Sequence, residues 1–248
     1  AIHRGIDLGI RHNDPAEMYG SGRVEELLLD ALEGRRDEVY LVSKVLPTHA
    51  SRDGTIAACE RSLKKLGTDR LDLYLLHWPS SHALEETIAA FEQLINSGMI
   101  LHYGVSNFDA DLLGRAVALA GPGRVACNQV LYHLQERAIE HHLLLVCEEH
   151  DVALVAYSPF GSGGFPSSRS AGGRVLQTIA EELGCTVRQV ALAYVVRRAS
   201  VFTIPKSSTV AHVEENAGAG DLRLPESAIR RIDEVFPRPA PSRNLPVI

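Results

Sequence analysis

Apolar residues in this chain fall into short runs of strand length separated by longer amphipathic stretches, most of which stop at a glycine. Residues 1–9 read as a helix closing at Gly9. An extended run follows, His12-Asn13-Asp14-Pro15-Ala16-Glu17-Met18-Tyr19-Gly20. Pro15 removes a backbone donor and pushes Asp14 out of the α region, so this run is a strand end entering a loop. A helix leading from Gly20-Ser21-Gly22 to about Glu33 is stopped by Gly34, and a β-branched strand follows at 39–45. The pattern then repeats: helix 52–66, Gly67 and strand 71–77, then helix 84–97, Gly98 and strand 102–107. The second half gives helix 110–120, strand 125–130, helix 137–150 and strand 152–157. Helices at 174–183 and 187–198, a strand at 201–205, helices at 209–218 and 225–235 and a Pro-rich tail complete it. Between Ser158 and Gly173 runs a Gly/Ser/Pro-rich loop, too long for a mere connector and read as a functional flap.

Strands alternating with helices of about 10 to 15 residues predict βαβ units and a parallel sheet. No G-x-G-x-x-G follows any strand, which favours a barrel over a doubly wound sheet. The expectation is an α/β protein, a (β/α)8 TIM barrel spanning 1–248 as a single domain. Only seven strands are counted, so either a first strand is lacking or the count misses one. A barrel left open would expose an apolar strand edge.

The 248 residues are 45% hydrophobic and 23% charged, an ordinary soluble globular composition. A net charge of -6 argues against nonspecific nucleic-acid binding. The longest apolar runs, such as 143–146, are too short to span a bilayer, and residues 1–5 lack the apolar core of a signal peptide. Four cysteines without a C-x-x-C pair suggest neither a disulfide framework nor a zinc ribbon. The expectation is a cytoplasmic monomer with no nucleic-acid or membrane partner. His142, Cys147 and His150 lie close together, but on a helix only the last two share a face, which disfavours a metal site.

In a barrel the C-terminal strand ends gather on one face. Here they carry Asp14 and Tyr19, Lys44, His77, Ser106 and Asn107, Gln129, Tyr157, and Lys206-Ser207-Ser208. Singly, His77 reads as a satisfied histidine and Lys44 as a surface lysine. Jointly they make coherent chemistry. A phenol is a poor acid at neutral pH, but an ammonium beside it stabilises the phenolate form. Lys44 suits that part, with Asp14 paired to it, and His77 can hydrogen-bond a bound carbonyl oxygen. A proton aimed at a developing alkoxide is half of a carbonyl reduction. The other half is a hydride, which no side chain provides, so a nicotinamide cofactor is implied.

The chain resembles the aldo-keto reductases along essentially its whole length. The resemblance is carried by Asp14-Pro15-Ala16-Glu17-Met18-Tyr19-Gly20, Val42-Ser43-Lys44-Val45, the segment from Leu66-Gly67-Thr68-Asp69 to His77-Trp78-Pro79, Gly104-Val105-Ser106-Asn107-Phe108, Asn128-Gln129-Val130, Tyr157-Ser158-Pro159-Phe160 and Ile204-Pro205-Lys206-Ser207. It implies an NADP(H)-dependent reductase of small aldehydes and ketones. Tyr19 would be the proton donor, Asp14 and Lys44 its tuning partners, and His77 the group orienting the carbonyl. Ser106, Asn107 and Gln129 would hold the nicotinamide carboxamide, with Tyr157 stacked on the ring. The loop from Ser158, including Phe160, would cover the pyrophosphate. Lys206, Ser207 and Ser208 would surround the 2'-phosphate, with Glu215 and Asn216 at the adenine. Trp78 is a substrate-pocket wall or a packing indole. The short segment 237–248 suggests a small pocket for aldehydes such as methylglyoxal.

Three departures stand out. Where the family usually has an arginine six residues after the cofactor lysine, this chain has His212, which offers no guanidinium fork, so NADPH is expected with weaker discrimination against NADH. Pro15 stands where a threonine is common. The family's first barrel strand and N-terminal hairpin are not seen. One rival is an NADP(H)-binding regulatory subunit of the same fold with little turnover. A metal-dependent barrel hydrolase is a further rival, disfavoured because His77 stands alone and His141 and His142 fall in a predicted helix.

Overall fold

The computed structural model describes residues 1–242 and 245–247. The chain begins with α1 (Ile2–Asp7), and β1 (His12–Asn13) follows. Units α2 (Arg23–Ala31), β2 (Tyr40–Val45), α3 (Arg52–Leu66), β3 (Leu71–Leu76), α4 (Leu84–Asn96) and β4 (Ile100–Ser106) then alternate. So do α5 (Ala110–Ala120), β5 (Val125–Leu131), α6 (Leu143–Glu149) and β6 (Ala153–Tyr157). The chain continues through α7 (Ala171–Leu183), α8 (Val187–Val195), β7 (Val201–Thr203), α9 (Val210–Ala217) and α10 (Glu226–Val235).

The helices start and stop where the local chemistry dictates. Ser51 accepts the Gly54 N–H to cap α3, and Gly67, at φ 60°, ends it in the left-handed conformation that glycine adopts most easily. Thr186 and Gln189 form a reciprocal capping box at the start of α8. All six residues of β3 are buried, as expected of a strand covered on both faces.

The strands are parallel and lie side by side in chain order, β1 to β7. This is the (β/α)8 barrel arrangement with seven strands among the described residues. One apolar layer lies between sheet and helices, around Leu41, Tyr74, Leu76, Phe91 and Leu154. A smaller one, Val42, Leu73, Leu75, Cys127 and Val155, fills the inside of the curl. No β1–β7 pairing is recorded among the described residues, but the sheet curls far enough to bring the rings of His12 and Phe202 within 5.2 Å. Outside that seam α1 meets α9, where Arg4 Nε donates to Glu214 Oε1 at 2.8 Å.

The segment 137–150, expected as one helix, is instead divided into a 3-10 turn at Ala138–Glu140 and α6, with His142 outside both. Ionic ties account for the break. Arg137 and Arg197 both donate to Glu140 Oε1, at 2.8 and 3.1 Å, as does the Tyr132 hydroxyl at 2.7 Å. Arg137 also reaches Asp233 at 2.9 Å, so the turn is tied to α10 as well as to the end of α8.

Burial alone would raise the Glu140 carboxyl, but bonds from Arg137 and Tyr132 and the Arg197 charge bring it down to about 2. A carboxyl more acidic in the folded than in the unfolded chain adds stability above its unfolded value and loses it as pH falls toward the folded one. Glu140→Gln is therefore expected to lower the unfolding free energy in urea by about 3 kcal/mol at pH 7. The gap to the parent should close progressively between pH 4.5 and about 2.

Candidate active site

Alternate residues of a strand face the same side. Inside the curl, the next inward position beyond the apolar layer is polar on strand after strand: Lys44 follows Val42, His77 follows Leu75, Gln129 follows Cys127 and Tyr157 follows Val155. On β4 that sequence is Gly104 then Ser106, and a Cβ on Gly104 would lie 2.6 Å from the Cys127 carbonyl oxygen. The interior is full at that level, so everything above it forms one polar floor.

Lys44 is fully buried, and its Nζ donates to Asp14 Oδ2 at 2.6 Å and to the Pro15 carbonyl at 3.1 Å. Asp14 Oδ1 accepts from Gln129 Nε2 at 3.2 Å and lies 3.6 Å from His12 Nε2. Burial by itself would raise the Asp14 carboxyl. The Lys44 ammonium and then His12 overcome that and hold it far below the usual carboxylate range. Tyr19 Oη is 3.4 Å from His77 Nε2, and Lys44 Nζ sits 5.1 Å from the Tyr19 ring centroid. His77 stacks on Trp78 with centroids 3.9 Å apart. Burial, helped by the nearby Lys44 charge, pushes the His77 imidazole down to about 3. At neutral pH it is therefore an uncharged hydrogen-bonding group and not a source of protons.

A second set adjoins the first. The Tyr157 hydroxyl donates to Asn107 Oδ1 at 2.9 Å, Asn107 Nδ2 donates to the His77 carbonyl at 3.1 Å, and Ser106 Oγ donates to the Gln129 carbonyl at 2.8 Å. Asn107 and Ser158 take positive φ, 61° and 49°, immediately beyond β4 and β6. Such conformations persist where the surroundings impose them, often at functional sites. Phe160 packs edge-on against Phe165, and the Arg188 guanidinium lies over both rings at 4.8 and 5.1 Å.

The last expected group, Lys206, Ser207, Ser208, His212, Glu215 and Asn216, is carried by the loop after β7 and by α9. Lys206, Ser208 and His212 are exposed. The Ser207 hydroxyl is buried without a hydrogen-bond partner among the described residues. An unpaired buried hydroxyl beside an exposed lysine, just before a helix start, suits an anionic group such as a phosphate. The residues present thus fit an adenosine 2'-phosphate.

Asp14, Tyr19, Lys44, His77 and Gln129 are therefore brought together, with Ser106, Asn107 and Tyr157 beside them. Two neighbours escaped the sequence reading. His12 stands two residues before Asp14, and strand alternation alone puts both on one face. Glu17 had no such signal. Among the described residues no group of three or more His, Cys, Asp or Glu is placed to hold a metal, and no helix is long and apolar enough to cross a membrane. The four cysteines are free thiols. Of the segment 237–248, Arg243, Asn244 and Ile248 lie outside the described residues.

Comparison with known proteins gives a consistent set. The model of the Aldo/keto reductase family matches residues 1–236. The chain is 41% identical over 248 residues to methylglyoxal reductase YeaE of Escherichia coli K12, covering 100% of this chain and 87% of that protein. It is 32% identical over 233 residues to the glyoxal reductase of Bacillus subtilis, covering 94% of this chain and 81% of that protein. An aldo/keto reductase of Klebsiella pneumoniae solved with NADP and acetate superposes with a TM-score of 0.92 at 40% identity, over 99% of this chain and 87% of that one.

Proposed function

The chain belongs to the aldo/keto reductase family, and from that premise we propose that it is an NADP(H)-dependent oxidoreductase reducing small aldehydes and ketones to alcohols, with Tyr19 as proton donor. The observation that carries this reading is the set of distances around Tyr19: its hydroxyl 3.4 Å from His77 Nε2 and its ring 5.1 Å from the Lys44 ammonium, itself locked to Asp14. When bound, the nicotinamide supplies a hydride to the carbonyl carbon. The protein supplies the rest. Neutral His77 and the Tyr19 hydroxyl both reach the space where a carbonyl oxygen would sit, so His77 orients it and Tyr19 Oη releases its proton to the oxygen as negative charge develops there. Lys44 stabilises the phenolate that remains, and Asp14 keeps the ammonium in position. Trp78, stacked on His77, walls the substrate side.

Asn107 and Ser106, with Gln129, would hold the carboxamide of the nicotinamide, and Tyr157 would stack on its ring. Ser158 and Phe160, at the start of the loop after β6, would cover the pyrophosphate. Lys206, Ser207 and Ser208 would take the 2'-phosphate, and Glu215 and Asn216 the adenine. The relatives named for methylglyoxal and glyoxal support short 2-oxoaldehydes as substrates. Steady-state consumption of NADPH with methylglyoxal, glyoxal and a bulky aromatic aldehyde tests this. Turnover of the two short aldehydes supports it, and cofactor binding without turnover of any aldehyde would instead favour the regulatory-subunit reading.

His212 should set cofactor choice. Fluorescence titrations are expected to give a modest NADPH-over-NADH preference in the parent, and His212→Arg should increase it about tenfold through a charged, forked contact to the 2'-phosphate. A parent already strongly selective for NADPH would contradict this.

A further inference from the structure

Tyr19 opens a short, irregular 3-10 turn, Tyr19–Gly22, that leads directly into α2. Gly20, Ser21 and Gly22 follow it with φ of 59°, 58° and 89°, three successive left-handed residues. For Ser21 that conformation is unfavourable, so the segment keeps one course only where its surroundings impose it. The surroundings are α3. Arg61 and Lys65 are four residues apart on this helix and so lie on one face. Arg61 Nη2 donates to Glu17 Oε2 at 3.3 Å, and Lys65 Nζ donates to the Ser21 carbonyl at 3.2 Å. The helix thus grips the loop two residues before Tyr19 and two residues after it.

Glu17 is fastened from a second side. Its Oε1 accepts the Leu46 N–H at 2.7 Å and lies 3.0 Å from His49 Nδ1, and its side chain is only 9% exposed. A Cβ on Gly22 would run into the Lys65 ammonium, so the lysine occupies space that only glycine leaves open. None of these contacts serves the inner apolar layer, and all of them converge on the few residues flanking Tyr19.

We propose that Glu17, Arg61 and Lys65 are positioning residues: a clamp by which the outer helix α3 fixes the Tyr19 hydroxyl at its working distance from His77 and Lys44. The inference rests on the reading of Tyr19 as proton donor, and the experiment separates the two. Full-length Glu17→Ala, Glu17→Gln, Tyr19→Phe and the double variant Arg61→Met/Lys65→Met are compared. The Arg61 side chain is half exposed and Lys65 reaches outward to a surface loop, so the double variant leaves the core intact.

Misplacing a catalytic group by about 1 Å can cost on the order of 100-fold in rate. The double variant is expected to lose about 10-fold in kcat and Glu17→Ala about 100-fold, with the NADPH Kd and aldehyde KM unchanged within about twofold. Glu17→Gln keeps an acceptor for the Leu46 N–H but turns its NH2 toward the Arg61 donor, so it should recover only part of that loss. A readout that needs no turnover comes from Trp78, the sole tryptophan, which stacks on His77 against Tyr19. Acrylamide quenching of its fluorescence should rise in Glu17→Ala and in the double variant.

Parent-like kcat and quenching in both clamp variants, with Tyr19→Phe inactive, overturn the clamp and leave the proton-donor reading standing. A loss of kcat accompanied by equal changes in Kd and KM also overturns it, since that pattern marks general loosening. A fully active Tyr19→Phe overturns the proton-donor reading, and unchanged Trp78 quenching would then remove the clamp as well.

Discussion

Tyr19→Phe is expected to lower kcat for aldehyde reduction by about 1,000-fold, the scale of a lost general acid, while the NADPH Kd stays within about twofold. Removing one hydroxyl leaves the ring, its contact with His77 and the loop that carries it in place. The proton is lost, and with it the 3.4 Å contact of the hydroxyl with His77 Nε2. His77 cannot substitute, because burial and the Lys44 charge keep its imidazole unprotonated down to about pH 3. Single-turnover reduction followed by cofactor absorbance separates the chemical step from binding. Retention of more than about a tenth of the parent rate would mean that a different group delivers the proton.

Lys44→Met is expected to have the largest combined effect, on both rate and stability. Methionine matches the stem in volume, so the cavity term is small. What remains is Asp14, left beneath the site with Gln129 and His12 as its only polar neighbours among the contacts described. Removing one partner of a buried ion pair costs about 3 to 5 kcal/mol. In the parent, the depressed Asp14 carboxyl adds stability above its unfolded value near 3.8 and loses it only in strong acid. In the variant the carboxyl should titrate upward, so the deficit measured in urea at pH 7 should shrink as the pH is lowered and Asp14 is neutralised. A deficit independent of pH would mean that Asp14 is not held ionised by Lys44. The rate should fall by about 100-fold or more, since the phenolate left after proton transfer loses its cation.

Much of this arrangement was legible in the residue pattern. Glycines at 67 and 98 mark the ends of α3 and α4, and period-2 alternation carries Lys44, His77 and Gln129 inward, each two residues beyond an apolar inward position, at or just past the C-terminal part of its strand. Such signals are local, and local propensity agrees there with the final packing. The misses share one physical cause. The 137–150 stretch has a continuous helical pattern, yet Arg137 and Glu140 are recruited by Arg197 and Asp233, residues far along the chain, and the helix breaks. Glu17 likewise reads as an ordinary loop carboxylate, and its partners Leu46, His49 and Arg61 come from the next unit. Gln129, expected at a cofactor amide, also reaches Asp14 from 115 residues away. No spacing rule announces a long-range charge contact.

The seam between β1 and β7 has a consequence for how the molecule is made. Its ties join Arg4 to Glu214, residues 210 apart, and His12 to Phe202, whereas neighbouring strand pairs close loops of one helical unit, or of two between β6 and β7. Loop-closure entropy rises with the length closed, and contacts of large sequence separation form slowly. The seam is therefore the costliest join in the fold to nucleate and the natural place for folding to finish. His12 belongs to that join and also touches Asp14. Folding thus ends beside the ion pair on which the chemistry depends, and a chain arrested one step short would keep most of its sheet but lack a settled acid.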